Sequence, residues 1–535
     1  MAFSAIHLRT AAEGEISGAG SGRPNSLPAA DGPDGRPLCL ELLKALDRWR
    51  GYVFAAIVAI YLLGFNGQWL IEPDGGLYLN LARNLARGRG YTFGGVVHDT
   101  VYPGLPVALA GLYRLFPAHF ILAADMLVWL CALASLALVY RLVLLAYDRP
   151  TAVAIALGVA ISGQFYHYSF EILTEMPFLA GIMAVLAGHE GVFGSTCARR
   201  ARWWDWTLLA GGLVIVISTR PTMIALLAAW IIALAFAAAV RRNWKAAGAI
   251  VLCALLLGIF LVFDPRRNSG HGLGGYEQYA INHLKDTQQL KAAALVNLGR
   301  LFNPLVVKAV FGMRLGSGVL WWLNAVFGGI SMAAAVALIA KRVLWGLWVI
   351  VLLATVVLTV SDDRYLLPIL PLIVLGWWNL IRSINLRLPP RIANPAFVLL
   401  MALGTLPNGV MVAGTIIHQR SRPFLATYQN GRYEAVAQMA GQIPRKTLPD
   451  DVILCPAKLA RIMAFLSDRM FYEENEAFRA PAGHLLMVAD PADWEYSLWL
   501  RQQNVSPEGD ALVTVPRSGG RPPITLVRAK APGNP

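Results

Sequence analysis

The chain has 535 residues, of which 56% are hydrophobic and 15% charged, and its mean hydropathy is +0.53. Soluble globular chains are about half apolar and about a quarter charged, so this composition excludes an ordinary soluble enzyme and a disordered scaffold. A polytopic membrane protein with one soluble appendage remains. The net charge of +14 would point to nucleic acid in a soluble chain. In a membrane chain it reflects Lys and Arg gathered in cytoplasmic loops, so no nucleic-acid partner is expected. Cys39, Cys131, Cys197, Cys253 and Cys455 share no metal-ligand spacing, so neither zinc nor a disulfide framework is expected.

Residues 1–45 read as a disordered cytoplasmic tail, rich at its start in Gly, Ser, Ala, Pro and Asp and lacking the apolar core of a signal peptide. Lys44, Arg48 and Arg50 flank the first apolar run, 51–71, and place the N-terminus inside. Residues 102–116 are too short to cross and carry Arg114, so they are expected to lie on the outer membrane face. Further spans are expected at 119–140, 150–166, 172–190, 206–219, 222–240, 246–263, 318–340, 343–360, 365–381 and 394–417. With about eleven spans, every short basic loop falls on one side. Reading 102–116 as a span would reverse them all. The expected fold is therefore mainly α, a polytopic helix bundle over residues 46–419 with surface-lying outer-loop helices. A long polar stretch, 264–315, lies outside.

Residues 420–535 alternate strand-like segments (451–455, 484–489, 511–515, 524–527) with helix-like ones (458–466, 494–502). They read as a small extracytoplasmic α/β domain without a nucleotide-binding glycine loop, and no chemistry is assigned to it. The Trp-rich stretches Trp203, Trp204, Trp206; Trp321, Trp322; and Trp377, Trp378 are expected in interfacial belts.

The first outer loop carries the most information. In Glu72-Pro73-Asp74-Gly75-Gly76-Leu77-Tyr78-Leu79-Asn80-Leu81-Ala82-Arg83-Asn84-Leu85-Ala86-Arg87, the leucines 77, 81 and 85 recur at helical spacing. A short amphipathic surface helix follows, with Arg83 and Arg87 meeting lipid headgroups. Asp74 stands at its start. Two readings are open there: a helix cap, or a carboxylate at the bilayer edge able to take a proton from an attacking hydroxyl or amine.

Glu171 and Glu175 stand four apart, on one helical face, with His167 just before. Either their position at the interface explains them, or they bind acceptor or sugar. A lipid phosphate leaving group gains negative charge as it departs, and the planar fork of Arg suits it. Arg364 is the first candidate and Arg220 the second, against a salt bridge with Asp362 or Asp363 for the one and snorkelling for the other. Lys285, Lys291, Arg300 and Lys308 are further cations of the long outer loop. Asp125, early in the second span, is a structural contact or a site wall.

Several motifs stand in order. They are Asp74-Gly75-Gly76-Leu77-Tyr78-Leu79-Asn80, Tyr102-Pro103-Gly104-Leu105-Pro106, Thr174-Glu175-Met176-Pro177-Phe178, Thr219-Arg220-Pro221 and Arg364-Tyr365-Leu366-Leu367-Pro368. Together they resemble the GT-C glycosyltransferase superfamily, in the branch of the protein O-mannosyltransferases and aminoarabinose transferases, over residues 50–420. The resemblance implies a polyprenyl-phosphate sugar donor, an extracytoplasmic glycan, lipid or protein acceptor, and displacement with inversion. It implies that Asp74 is the catalytic base and that no cofactor is needed, although some branches use a divalent ion. Glu72, Tyr78, His167, Glu171, Glu175, Arg220, Arg364 and Tyr365 are then the expected substrate-binding residues. The family's loop often carries an adjacent Asp-Glu pair, whereas Gly75 follows Asp74 here. The expected location is a bacterial inner membrane. Two other classes compete: a lipid-linked glycan flippase or transporter, and a non-catalytic membrane assembly factor on the same fold.

Overall fold

Apolar runs punctuated by Gly, Pro and Arg form a succession of helices in a computed structural model. The structure describes residues 37–194, 202–241, 244–264, 287–300, 307–308, 321–358, 362–421, 433–473, 485–491, 493–503, 505–517 and 522–530. The expectations for residues 1–36, for Cys197 and Lys285 and for most of the 264–315 stretch lie outside the described residues.

Eleven helices come first, with a small hairpin of β1 (Thr92–Phe93) and β2 (Val96–Val97) after the third: α1 (Leu38–Arg48), α2 (Arg50–Gly64), α3 (Pro73–Ala86), α4 (Gly104–Leu115), α5 (Phe120–Ala146), α6 (Arg149–Ala160), α7 (Gly163–Tyr168), α8 (Glu175–Phe193), α9 (Trp203–Thr219), α10 (Met223–Arg241) and α11 (Trp244–Phe263). Next come α12 (Thr287–Arg300), α13 (Trp321–Val336), α14 (Val343–Leu358), a 3-10 turn at Asp363–Ile369, α15 (Leu370–Arg387) and α16 (Pro390–Arg420). Among the described residues, five helical stretches are long and apolar enough to cross a membrane, and several shorter apolar helices accompany them.

α8 is central and packs on α5 and α9. It approaches α9 closely because Gly212 has no side chain: a Cβ there would lie 2.7 Å from the Gly181 carbonyl oxygen. Two expected spans end early. The run at 51–71 stops being helical at Gly64, where Asn66 and Gly67 (φ +66°) turn the chain. The run at 150–166 breaks after Ala160, and the Asn408 side chain accepts the Gly163 N–H at 2.8 Å. Trp377 and Trp378 are buried between helices rather than in a belt, and the Trp377 indole donates to Ser331 at 2.7 Å.

Ion pairs gather at separate places in the bundle. At one end the basic residues between expected spans pair with acids: Arg141 with Asp205, Arg342 with Glu190 at 3.1 Å, Arg149 with Asp47 at 3.1 Å, and Arg382 with Asp148 at 3.7 Å. Asp74, Glu175, Arg220 and Arg364 gather elsewhere, where α3, α8, the α9–α10 turn and the 3-10 turn meet.

The C-terminal segment comprises α17 (Glu434–Lys446), β3 (Val452–Cys455), α18 (Ala457–Ser467), β4 (Met470–Glu473), β5 (Leu485–Ala489), α19 (Trp494–Gln502), β6 (Ser506–Val515) and β7 (Ile524–Lys530). The strands form one sheet in the order β4-β3-β5-β7-β6, with β3 parallel to both β4 and β5. Of these elements, α17 and β4 have no counterpart in the sequence reading. α18 lies directly on α3. A Cβ on Gly76 would meet the Arg461 carbonyl oxygen at 2.7 Å, so only glycine admits this contact. Overpacking of this kind costs about 1–3 kcal/mol. Gly76→Val is therefore expected to speed hydrogen exchange across Ala457–Ser467 roughly 5- to 150-fold, with α8 and α9 unaffected. Unchanged protection of α18 would refute this docking.

Candidate active site

α3 starts at Pro73, whose missing N–H suits the first helical position. The N-cap position is Glu72, and its side chain makes no capping bond. Asp74 is therefore one residue inside the first turn, where a negative charge complements the helix dipole. Its carboxylate is held from outside the helix. Arg364 Nη1 donates to Asp74 Oδ2 at 2.9 Å, and Arg461 Nη1 donates to Oδ1 at 3.0 Å.

Each cation is itself held. The Asp362 side chain, at the N-cap of the 3-10 turn, accepts the Arg364 N–H at 3.2 Å and lies 3.5 Å from Arg364 Nε. Glu175 opens α8 and lies 3.9 Å from Arg364 Nε. Glu175 is paired more tightly with Arg220, at 2.8 Å. Arg220 also lies over the rings of Tyr365 and Phe178, at 4.7 and 5.9 Å. Arg461 forks onto Glu473 through Nε and Nη2, at 2.6 and 3.2 Å.

Exposure separates two tiers. The Asp74 and Arg364 side chains are 32% and 26% exposed, whereas Glu175 and Arg220 are 2% and 7% exposed. A substrate can reach the first pair, while the second braces it from beneath. Among the described residues, the second oxygen of Glu175 is buried and accepts no hydrogen bond.

Burial acts to raise the Asp74 carboxyl, but the guanidinium of Arg364, followed by Arg461 and Arg220, outweighs it and holds Asp74 below its usual range. Asp74 is therefore ionised and acceptor-only at neutral pH. Burial and the charges of Asp74 and Glu175 push the Tyr78 hydroxyl well above its ordinary value, so it stays a neutral phenol, hydrogen-bonded to Thr174.

The structure thus brings together Asp74, Tyr78, Glu175, Arg220, Arg364 and Tyr365. Glu72, His167 and Glu171 form a neighbouring group: His167 Nε2 lies 2.9 Å from Glu171 Oε1, and both Glu72 and Lys308 act on His167 electrostatically. The backbone joins the two groups, because a Cβ on Gly75 would touch the Ile172 carbonyl oxygen at 3.2 Å. Lys291 and Arg300 lie on α12. Asp125 is buried and accepts a backbone bond from Gly67. Among the described residues no three His, Cys, Asp or Glu side chains gather as metal ligands.

Two sequence expectations are corrected. Arg83 and Arg87 hold the C-terminal segment instead of lipid. Arg83 donates to the carbonyls of Phe465 and Ala464, both at 2.9 Å, at the free C-terminal end of α18. Asp468, in the left-handed conformation just beyond, pairs with Arg87 at 2.6 Å and Arg83 at 3.3 Å. The C-terminal segment, to which no chemistry was assigned, supplies Arg461. Its signal in the sequence is one charge inside an otherwise apolar helical stretch, Ala460-Arg461-Ile462-Met463-Ala464.

No family model matches the chain, and no curated protein matches it in sequence. Solved structures do match. ArnT from Cupriavidus metallidurans aligns with 15% identity over 90% of this chain and 98% of its own, with TM-scores of 0.53 in the apo state and 0.56 bound to undecaprenyl phosphate. The oligosaccharyltransferase of Archaeoglobus fulgidus in the apo form aligns with 12% identity over 85% of this chain and 69% of its own, with a TM-score of 0.49. At 15% identity the ArnT likeness is one of fold, and this chain shares that fold over 90% of its length.

Proposed function

We propose that this protein is a membrane glycosyltransferase that moves a sugar from a polyprenyl phosphate to an extracytoplasmic acceptor, with inversion at the sugar carbon. The supporting observation is a partly exposed, ionised Asp74 between two guanidiniums at the start of a non-spanning helix. In the reaction, a lone pair of the acceptor oxygen or nitrogen forms a bond to the anomeric carbon. The bond from that carbon to the phosphate oxygen breaks, and its electron pair leaves with the polyprenyl phosphate. The acceptor proton goes to Asp74.

A carboxylate held below its usual range is a weaker base while Arg364 is on it. In the donor complex the phosphodiester offers Arg364 a second anion, whose charge grows as the sugar departs, so Arg364 turns to the phosphate and Asp74 regains basicity. Arg364 then stabilises the charge that develops on the leaving group. Tyr78 receives a sugar hydroxyl, and Glu175, beneath the exposed pair, acts through Arg220 and Arg364. Glu72, His167 and Glu171 face the acceptor. The paired basic end of the bundle faces the cytoplasm, with the residues before α1 as a cytoplasmic tail, since 38–45 are helical and packed on the bundle, and 420–535 as an extracytoplasmic domain, in a bacterial inner membrane.

The test is turnover by the purified protein in lipid against a panel of polyprenyl-phosphate sugars, with glycan, lipid and peptide acceptors. Transfer from at least one donor is expected. Tight binding of polyprenyl phosphate without transfer from any donor would instead favour a non-catalytic protein on this fold.

A further inference from the structure

The bond from Arg461 to Asp74 connects residues 387 positions apart, and its construction differs from that of the bond from Arg364. Arg461 uses two of its nitrogens on Glu473, which sits in the edge strand of the C-terminal sheet, and leaves the third for Asp74. Arg364 has one close carboxylate contact, to Asp74, and its contacts to Asp362 and Glu175 are longer, at 3.5 and 3.9 Å. One guanidinium is thus anchored and the other exchangeable.

The anchored one belongs to an element fixed to α3, the helix that carries Asp74. Gly76 meets the Arg461 backbone, Arg83 binds the carbonyls ending α18, and Asp468 binds Arg87. These contacts set the distance between Arg461 and Asp74 independently of Arg364.

We propose that Arg461 is a positioning residue for Asp74: anchored by Glu473 on the docked C-terminal segment, it keeps the carboxylate aimed at the acceptor after Arg364 has turned to the donor phosphate. This rests on the glycosyltransferase reading above. Because Glu473 already balances its charge, Arg461 contributes little to phosphate binding. Its effect falls on the base alone. The C-terminal segment is then part of the catalytic unit, and a turnover-competent site requires it to be docked.

The groups facing Asp74 are Arg364 from the 3-10 turn, Arg220 from the α9–α10 turn, Arg461 from α18 and Tyr78 from its own helix. Glu175 and Glu473 reach it through those cations. Removing Arg461 removes one cation and one hydrogen bond from the carboxylate, so Asp74 titrates at higher pH.

The experiment compares the full-length parent with Arg461→Gln, Glu473→Gln and Arg461→Lys in lipid. For Arg461→Gln, kcat is expected to fall about 10²-fold, as for a misplaced catalytic group, with the donor KM unchanged and the acid limb of the pH profile moved upward. Arg461→Lys retains the charge and loses the fork, and is expected to recover the limb but only part of kcat. Glu473→Gln releases the anchor and is expected to lower kcat as Arg461→Gln does, but with the unbalanced Arg461 still on Asp74 its acid limb does not move upward; the double variant is no worse than Arg461→Gln alone. A raised donor KM with an unmoved limb would make Arg461 a phosphate ligand and overturn the proposal.

A second readout needs no turnover. Water-soluble carbodiimide modifies protonated carboxyls, so labelling of Asp74 followed by peptide mass spectrometry against pH reports its protonation directly. The midpoint is expected to rise in Arg461→Gln and stay near the parent's in Arg461→Lys. An unchanged midpoint in Arg461→Gln overturns the proposal, whatever the outcome of the donor panel, which by itself decides the glycosyltransferase reading.

Discussion

Asp74→Asn is expected to lower kcat about 10²- to 10⁴-fold, the range for losing a positioned general base, while polyprenyl phosphate binds at least as tightly as to the parent. The two effects have one cause. Asn keeps the shape and a hydrogen-bond acceptor but cannot take the acceptor's proton. It also leaves Arg364 without its closest carboxylate partner, so the guanidinium is free for phosphate before the donor arrives. Single-turnover transfer and direct lipid-phosphate binding measure the two separately. Unimpaired transfer by Asp74→Asn would reduce Asp74 to a helix-start residue and move the base to Glu72, Glu171 or Glu175.

The same arrangement sets a pH signature. In the free protein Arg364, Arg461 and Arg220 hold Asp74 below the ordinary range of an Asp side chain. The base form is the ionised one, so activity is present above the folded value and is lost as pH falls through it. kcat/KM reports the free protein and kcat the donor complex. Once Arg364 leaves for the phosphate, Asp74 has lost its strongest cation. The acid limb of kcat is therefore expected at higher pH than that of kcat/KM. Coincident limbs would show that Arg364 stays on Asp74 throughout.

Arg364→Ala is expected to cost about 10²- to 10³-fold in kcat/KM for the donor, the scale for removing one stabiliser of developing charge. The loss divides between a higher donor KM and a lower kcat, because phosphate charge is present in the ground state and grows in the transition state. The fold should survive this substitution. Asp74 retains Arg461 at 3.0 Å, and Glu175 retains Arg220 at 2.8 Å, so neither carboxylate is left buried and unpaired. Arg364→Lys is expected to rescue only part of the loss, since a point charge cannot fork onto phosphate oxygens. A donor KM and kcat both unaltered in Arg364→Ala would remove Arg364 from the phosphate and direct attention to Arg220 and Lys308.

The Glu175–Arg220 pair shows why sequence order ranks candidates poorly. Arg364 follows Asp362 and Asp363 and Arg220 precedes Pro221, and these neighbours do not say which guanidinium a substrate can reach. Burial separates them in the fold. Arg220 is enclosed by Glu175, Phe178 and Tyr365 and acts as a brace, whereas Arg364 remains partly open. The readings of Arg83 and Arg87 failed for a related reason. Their polar face on an amphipathic helix was legible, but the partner of that face, the C-terminal end of α18, lies hundreds of residues further on.

What could be read from residues alone was local in origin. Apolar runs and the Lys and Arg between them report the membrane bundle, because transfer into hydrocarbon is a property of each segment. Pro73, Asp74 and the leucines of α3 mark a short helix with an acid in its first turn, because helix starts follow from capping and dipole chemistry within one turn. The partners of Asp74 were decided by packing. Arg364 lies 290 positions away and Arg461 lies 387, and no periodicity brings such residues together. Their meeting depends on glycine at position 76, on the docking of α18 and on the strand that carries Glu473. Apolar burial and close packing fix those contacts, and they are properties of the whole fold.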